Sequence, residues 1–389
     1  MLIGIDGNEA NVEQKVGSNV YAFNLLQQLS LLTNKRSDLK FRIYLKNKPN
    51  NSLPLKNPAW NYIVTGPAKA WTQWRLPSQL YFEKLKGSGS DIFFSPGHYG
   101  PRKSPIKSVI TIMDLAFLHF PNEFLEKDLK QLTAWTQYSV KQAAHIFTIS
   151  QFSKDDIVDN YHIDPEKITV TYPGFDMTLN KTERDNSYQN LKKQYGIDLP
   201  YFLFIGTIQP RKNLERLFVA FSHLKNLAEF KNHQLIIVGK KGWLYEPIML
   251  KVRDLGLVDS VIFTGFLSEF EKHELLRYSL GLVMPSLFEG FGIPVLEALS
   301  LGVPVITSRA SSLPEVAGPQ AMYIEDPTSV VEIEKSLVRM IELPVNQRME
   351  MIAEGKKYAS KFSWRQCAQT TIDVLSGLVE QNNKYVKRF

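Results

Sequence analysis

Short apolar runs alternate with longer amphipathic ones along this chain, and they do so in two successive series. The first series reads MLIGID, VYAFNLLQQLSLL, FRIYL, DIFFSP, SVITIMD, LKQLTAWTQYSVKQAA, HIFTIS and KITVTYPG. Strands apolar on both faces and separated by helices predict a parallel sheet covered on both sides. After Met177 the rhythm lapses into the polar stretch TLNKTERDNSYQNLKKQYG. It then restarts with YFLFIGT, NLERLFVAFSHL, QLIIVG, VIFTGF, EKHELLRYSL, GLVMPS, PVLEALSLG and VPVITS. The expected fold class is therefore α/β, with two doubly wound Rossmann-like domains facing a central cleft. The predicted boundaries are a first domain over 1–178, a linker over 179–198 and a second domain over 199–360. A length of 389 residues agrees, since single cores stop growing at roughly 250 to 300 residues.

Charge and cysteine content narrow the function classes. The net charge of +7 is spread out, with 20 basic against 16 acidic residues in 1–180 and 26 against 23 beyond. No dense Lys/Arg run is interleaved with aromatics, so no nucleic acid partner is expected. Nucleotide phosphates and an anionic membrane face stay open as partners. The single cysteine, Cys367, permits no intrachain disulfide and no cysteine-built zinc site, and it fits a reducing cytosol. The opening MLIGIDGNEA lacks the features of a signal peptide, and no run reaches the ~20 apolar residues of a membrane span. The expected location is cytoplasmic, with any membrane contact peripheral and at the inner face.

Three segments carry candidate chemistry. Gly206-Thr207-Ile208-Gln209-Pro210-Arg211-Lys212-Asn213 lies between an apolar strand and a helix start. Gly206 lets the backbone turn, a helix N-terminus offers N–H donors, and Arg211 and Lys212 add positive charge, a combination that suits a diphosphate. In Ser286-Leu287-Phe288-Glu289-Gly290-Phe291-Gly292-Ile293-Pro294-Val295-Leu296-Glu297, the glycines allow a ligand close to the backbone, and Pro294 suits a first helical turn. The carboxylates of Glu289 and Glu297 suit vicinal hydroxyls, so the pair is expected to hold a ribose and a sugar at once. The third segment, GVPVITSRASSLPEVAG, reads equally well as a ligand loop and as a plain connection.

Together these segments resemble the retaining glycosyltransferases of the two-Rossmann GT-B fold, in the large sugar-nucleotide-dependent family 4. The resemblance spans nearly the whole chain and is strongest over 200–318. It implies that Arg211 and Lys212 bind the donor diphosphate, that Glu289 faces the donor sugar and that Glu297 accepts from the ribose hydroxyls. It also implies that Phe291, Gly292 and Ile293 bring backbone N–H groups to the sugar and phosphate, with Gly290 among the donor-binding positions. Gly239 and Lys240 match a donor-side loop, and Gly265 a segment beside the base. The first domain would bind the acceptor, the second the donor, and the helix over 361–389, after Phe362-Ser363-Trp364, would cross back to the first domain.

On the acceptor side, Gly17-Ser18-Asn19-Val20-Tyr21 resembles the family's glycine loop, with Asn19 at the second glycine position, where tolerance of positive φ would preserve the turn. TIMDLAFLHFP resembles a stretch in which His normally precedes Asp; here Met113 precedes Asp114, and Met neither donates to a hydroxyl nor shuttles a proton. His98, after a strand-like run, joins Gly17, Asn19 and Asp114 as an acceptor-side candidate. Trp71, Trp74 and Arg75 read either as an acceptor platform or as packing under a loop.

The expected reaction is transfer of a hexose, with retention, from a nucleotide-diphosphate sugar to a glycan or lipid-linked acceptor in bacterial surface polysaccharide synthesis. TIMDLAFLHFP is most similar to mannosyltransferase-like members, which points to GDP-mannose. The sequence contains no Asp-x-Asp, so no metal and no cofactor is expected. The alternatives are a sugar-nucleotide epimerase of the same fold and a catalytically weak carbohydrate-binding relative. A dinucleotide-dependent oxidoreductase would need G-x-G-x-x-G after the first strand of a unit, and neither half supplies it.

Overall fold

The computed structural model describes residues 1–33, 36–66, 69–175 and 184–386. Seven strands form one sheet: β1 (Leu2–Asp6), β2 (Lys40–Leu45), β3 (Trp60–Val64), β4 (Ile92–Ser95), β5 (Ser108–Ile112), β6 (His145–Thr148) and β7 (Ile168–Val170), in the order β3-β2-β1-β4-β5-β6-β7. Six form another: β8 (Tyr201–Ile205), β9 (Gln234–Val238), β10 (Val261–Gly265), β11 (Gly281–Met284), β12 (Val305–Ser308) and β13 (Met322–Ile324), in the order β10-β9-β8-β11-β12-β13. All neighbouring strands in both sheets pair in parallel. The central strands SVITI, YFLFI and QLIIV are buried at every position because helices cover both faces. The edge strands WNYIV and VIFTG are only partly buried.

The chain divides into two compact units. One comprises Met1–Leu115, Glu126–Gly174 and Phe362–Phe389; the other comprises Ala116–Leu125 and Phe175–Lys361. This division departs from the sequence-based boundaries in two places. Residues 116–125, expected in the first domain, belong with the second unit. There His119 and Phe120 pack on Phe288, with ring centroids 5.1 and 5.9 Å apart, and Phe124 packs on Trp243 at 5.5 Å. The predicted linker 179–198 contains the helix Arg184–Tyr195, where Tyr188 stacks on Tyr278 at 3.8 Å. Residues 179–183 lie outside those described.

The last helix, Trp364–Val386, belongs to the first unit. Trp364 meets Tyr21 at 5.9 Å, and the Cys367 thiol points at the Thr171 carbonyl 3.7 Å away. Burial pushes the Cys367 thiol up to about 12. The thiolate is the reactive form. A colourimetric thiol reagent is therefore expected to leave the native protein unlabelled over minutes and to titrate one thiol once the protein is unfolded in denaturant.

Candidate active site

Both sheets have a strand order that reverses at one point, and open α/β sheets bind ligands there, beyond the carboxyl ends of the strands. In the second unit that point lies between β8 and β11. The loops leaving these two strands hold Gly206 to Asn213 and Pro285 to Gly292.

Residues Pro210–Lys212 form one 3-10 turn and Asn213 takes a left-handed φ of 61° before the helix Leu214–Asn226. The Asn213 amide fastens this corner by donating to the Pro285 and Pro327 carbonyls at 3.0 and 2.6 Å. The corner also joins the second loop, because Leu287 N donates to the Arg211 carbonyl at 2.8 Å. Lys212 Nζ then donates to Glu289 Oε1 at 2.5 Å, with both side chains largely buried. Glu289 is fixed through its backbone, its N–H donating to Ser311 Oγ and its carbonyl accepting from Ser312 Oγ. The GVPVITSRASSLPEVAG segment thus clamps Glu289.

Beside this pair the structure brings together three of the glycines singled out from sequence. Gly206 N donates to the Val238 carbonyl and Gly239 N to that of Gly265, both at 2.9 Å. A Cβ on Gly239 would lie 1.9 Å from the Gly206 carbonyl oxygen, so only glycine lets the ends of β8 and β9 approach this closely. One placed on Gly206 would lie 3.8 Å from Lys212 Cε. Lys240 lies over the Phe266 ring at 5.0 Å. Gly292, at φ 100°, precedes the helix Ile293–Leu301, and Phe291 is buried. Gly290 lies in the turn between Glu289 and Phe291.

Glu123 is a neighbour that sequence reasoning missed. Its carboxylate accepts from Arg211 N at 3.0 Å, and Arg211 Nε is buried without a hydrogen-bond partner. Burial pushes the Glu123 carboxyl up, against the pull of the Arg211 N–H and the Arg211 and Lys212 charges. A carboxylate thus sits beside the turn that sequence reading gave to a phosphate.

Glu297 was expected to share hydroxyl binding with Glu289, but the two carboxylates have separate lysine partners. Glu297 is 4% exposed and its Oε1 accepts from Lys272 at 2.8 Å, while Lys272 also donates to Glu269 at 2.7 Å. His273 Nε2 lies 3.8 Å from a carboxylate oxygen of each. Glu297 Oε2 is buried with no hydrogen-bond partner. Burial opposes charge on both Lys272 and Glu297, yet each holds the other: the Lys272 pKa lies above its ordinary value and that of Glu297 below. Glu269, His273 and Glu297 bring ligand atoms within 4.8 Å of one another, a geometry open to a metal ion, and Lys272 already supplies positive charge among them.

In the first unit the reversal lies between β1 and β4. The positive φ of the glycine loop is at Gly17, 50°. Asn19 sits inside the helix Ser18–Thr33 rather than in a left-handed turn, and its side chain has a different use. The Asn19 amide donates to Glu9 at its carbonyl (3.1 Å) and at Oε2 (2.9 Å), and Ser18 Oγ donates to the same carboxylate at 3.0 Å. Glu9 is a second residue the sequence reading missed. Burial lowers the His98 pKa, partly offset by the charges of Asp114 and Glu9, so these three share one electrostatic neighbourhood. Met113 is buried, and its carbonyl accepts from Ser153 Oγ at 3.1 Å. Of the aromatic platform, Trp71 is buried and donates to Thr65 Oγ1 at 3.0 Å, whereas Trp74 is exposed.

Residues 187–358 match the family model described as glycosyl transferases group 1, and residues 65–179 match that of glycosyltransferase family 4. The chain belongs to this glycosyltransferase family. O-antigen chain mannosyltransferase B of Escherichia coli is 28% identical over 283 residues, covering 72% of this chain and 73% of that protein. O-antigen chain mannosyltransferase RfbU of Salmonella typhimurium is 29% identical over 256 residues, covering 66% of this chain and 65% of that protein. The match to the serotype-specific mannosyltransferase WbdA of Escherichia coli spans 30% of that protein's length. Among solved structures, sucrose-phosphate synthase from Thermosynechococcus elongatus superimposes with a TM-score of 0.75 at 16% identity, covering 98% of this chain and 99% of that one. WaaG, a glycosyltransferase involved in lipopolysaccharide biosynthesis, does so with 0.72 at 16%, covering 97% of this chain and 100% of that one. These structural likenesses establish the GT-B fold of this glycosyltransferase. No described helix is long and apolar enough to cross a membrane.

Proposed function

We propose that this glycosyltransferase moves a mannosyl residue, with retention, from a nucleotide-diphosphate sugar to a glycan or lipid-linked acceptor in polysaccharide synthesis, with GDP-mannose as the donor. The observation that carries the reading is the Lys212–Glu289 pair at the point of strand reversal, beside Gly206 and the Gly239 that packs against its carbonyl, where only glycine fits. The mannosyltransferase relatives support the sugar.

In this reading the bond between the anomeric carbon and the β-phosphate oxygen breaks as the acceptor oxygen bonds to the same face. The acceptor proton passes to the departing phosphate oxygen, so no protein base is needed. Lys212 and Arg211 stabilise the charge that develops there, while Glu289 holds Lys212 in place and faces the sugar. Such preorganised charge needs no rearrangement at the moment of reaction. Glu297 Oε2 is left to accept from the ribose hydroxyls. Glu9, Asp114 and His98 form the acceptor side of the first unit, His98 supplying an imidazole beside Asp114 that Met113 does not. The reaction requires no metal or cofactor, and the protein acts in the cytoplasm.

A melting-temperature screen of GDP-, UDP- and ADP-sugars tests the donor, since a ligand that binds only the folded protein at a hundred times its Kd stabilises it by about 2.7 kcal/mol. The expected result is a rise with GDP-mannose and α-mannosyl product that forms equally well in excess chelator. A selective response to a UDP-sugar, epimerised sugar nucleotide as the product, or complete and reversible loss with EDTA would each replace part of the reading.

A further inference from the structure

In the first unit the loop that leaves β4, one of the two strands at the reversal point, is pinned to two neighbours. Gly100 N donates to Ser139 Oγ at 3.2 Å and Lys103 N to the Tyr138 hydroxyl at 3.1 Å, both on the helix Glu126–Gln142. Arg102 N donates at 3.0 Å to the Thr72 carbonyl in the turn Trp71–Arg75. Between these three segments lies a groove of about 210 Å³, open to solvent.

Aromatic rings and uncharged polar groups line it together. Tyr99 and Trp135 meet edge to face with ring centroids 5.2 Å apart, and Tyr138 adds a third ring. Thr72 and Gln73 contribute a hydroxyl and an amide, and of the described lining residues Arg102 alone is charged. Its guanidinium carbon lies 5.9 Å from the centre of the Trp135 ring and 5.2 Å from that of Tyr138. Among the described residues no oxygen accepts from this guanidinium, so the rings place it while its N–H donors stay available to a ligand. The Tyr99 ring also lies 6.4 Å from that of His98, and the groove thus adjoins the acceptor-side residues His98, Asp114 and Glu9.

We propose that this groove is a subsite for a sugar ring of the glycan acceptor that does not itself react, its C–H face on Trp135 and Tyr99 and its hydroxyls bonded to Arg102, Gln73 and Thr72. A pyranose has an apolar face and a rim of hydroxyls, and an aromatic wall set among a few polar groups matches both. Pockets for drug-sized ligands start at about 300 Å³, so this one suits a single ring and not a nucleotide sugar. One cation among neutral groups also disfavours a phosphate, which is usually met by clustered cations. The inference deepens the proposed transfer by naming an extended glycan as the acceptor, and it rests on that reading for the identity of the sugar alone.

The test is calorimetric binding of methyl α-mannoside and of α-linked mannotriose to the full chain without donor, together with transfer to the same two acceptors. The trisaccharide should bind on the order of tenfold more tightly, the gain from about one well-made contact, and should have the lower KM. Arg102→Met and Trp135→Leu should each remove that gain and keep the parent's melting response to the nucleotide sugar. Arg102 is exposed, so its variant should also melt like the parent. Equal affinity for the two saccharides, no binding of either, or a trisaccharide preference kept by both variants overturns the subsite, and the transferase reading then stands or falls on the transfer assay. Binding of inorganic phosphate that Arg102→Met abolishes, without binding of either saccharide, gives the groove to an anion instead. Trisaccharide binding that both variants lose, in a protein that transfers no mannose, supports the groove and counts against the donor assignment.

Discussion

Lys212→Met is expected to slow glycosyl transfer on the order of 10² to 10³-fold, the usual cost of losing one preorganised donor at a developing anion. The variant should also melt lower, because Glu289, 9% exposed, would keep a charge with its cation gone. Removing one partner of a buried pair costs about 3 to 5 kcal/mol. Glu289→Gln should show both effects for the complementary reason, leaving Lys212 buried at 6% exposure with an uncancelled charge. The informative protein is the double variant Lys212→Met, Glu289→Gln. Two neutral side chains of similar size remove the unpaired charge, so much of the lost melting temperature should return. Transfer should stay as low as in the worse single variant, since groups that act as a unit fail together. Calorimetry and initial rates on the three proteins separate the roles. Transfer that recovers along with stability would make the pair purely structural, and transfer unchanged in both single variants would remove it from the reaction.

The two sheets were legible because burial on both faces forces continuous apolar runs such as YFLFI and QLIIV, and no other soluble arrangement of such strands is common. The glycines were legible for a related reason: a loop that begins where a strand ends and contains Gly206, Gly239 or Gly292 marks a place where backbone must come close to something. What such a pattern cannot carry is partnership at a distance. Lys272 reaches Glu297 across 25 positions, and Arg211 N reaches Glu123 across 88. Both contacts depend on which strand ends become neighbours, and a periodicity does not encode that. Residues 116–125 failed for want of length, since one short helix and a 3-10 turn offer no period to read. The helix Arg184–Tyr195 failed because its residues are mostly polar and give no clear apolar stripe. Asn19 was read for its backbone tolerance when its side-chain amide was the relevant part.

Lys272→Met should make the stability of the protein depend on pH between about pH 5 and pH 8, where the parent pair contributes evenly. In the parent, the Glu297 pKa is depressed, so its contribution is present above the ordinary carboxyl range and is lost only as pH falls through its lowered value. The Lys272 pKa is raised, so its contribution is lost only as pH climbs through a value above that of ordinary lysine. The pair therefore contributes evenly from about pH 5 to about pH 10. Without Lys272, burial and the neighbouring Glu269 carboxylate both act against charge on Glu297, with His273 alone to offset them, and the carboxyl pKa should rise above its unfolded value. A group raised in this way favours the folded state below its unfolded pKa and loses that advantage as pH rises through the folded one. The deficit in unfolding free energy should thus be largest near pH 8, about 3 to 5 kcal/mol as for other broken buried pairs, and should shrink as the solution is taken towards pH 5. Adding Glu297→Gln should abolish this slope and restore most of the stability, yet leave the KM for the nucleotide sugar high, because an amide cannot replace a carboxylate that accepts from two hydroxyls. A pH-independent deficit in Lys272→Met would mean that Glu297 is not the group Lys272 holds charged, and a normal KM in the double variant would remove Glu297 from the donor site.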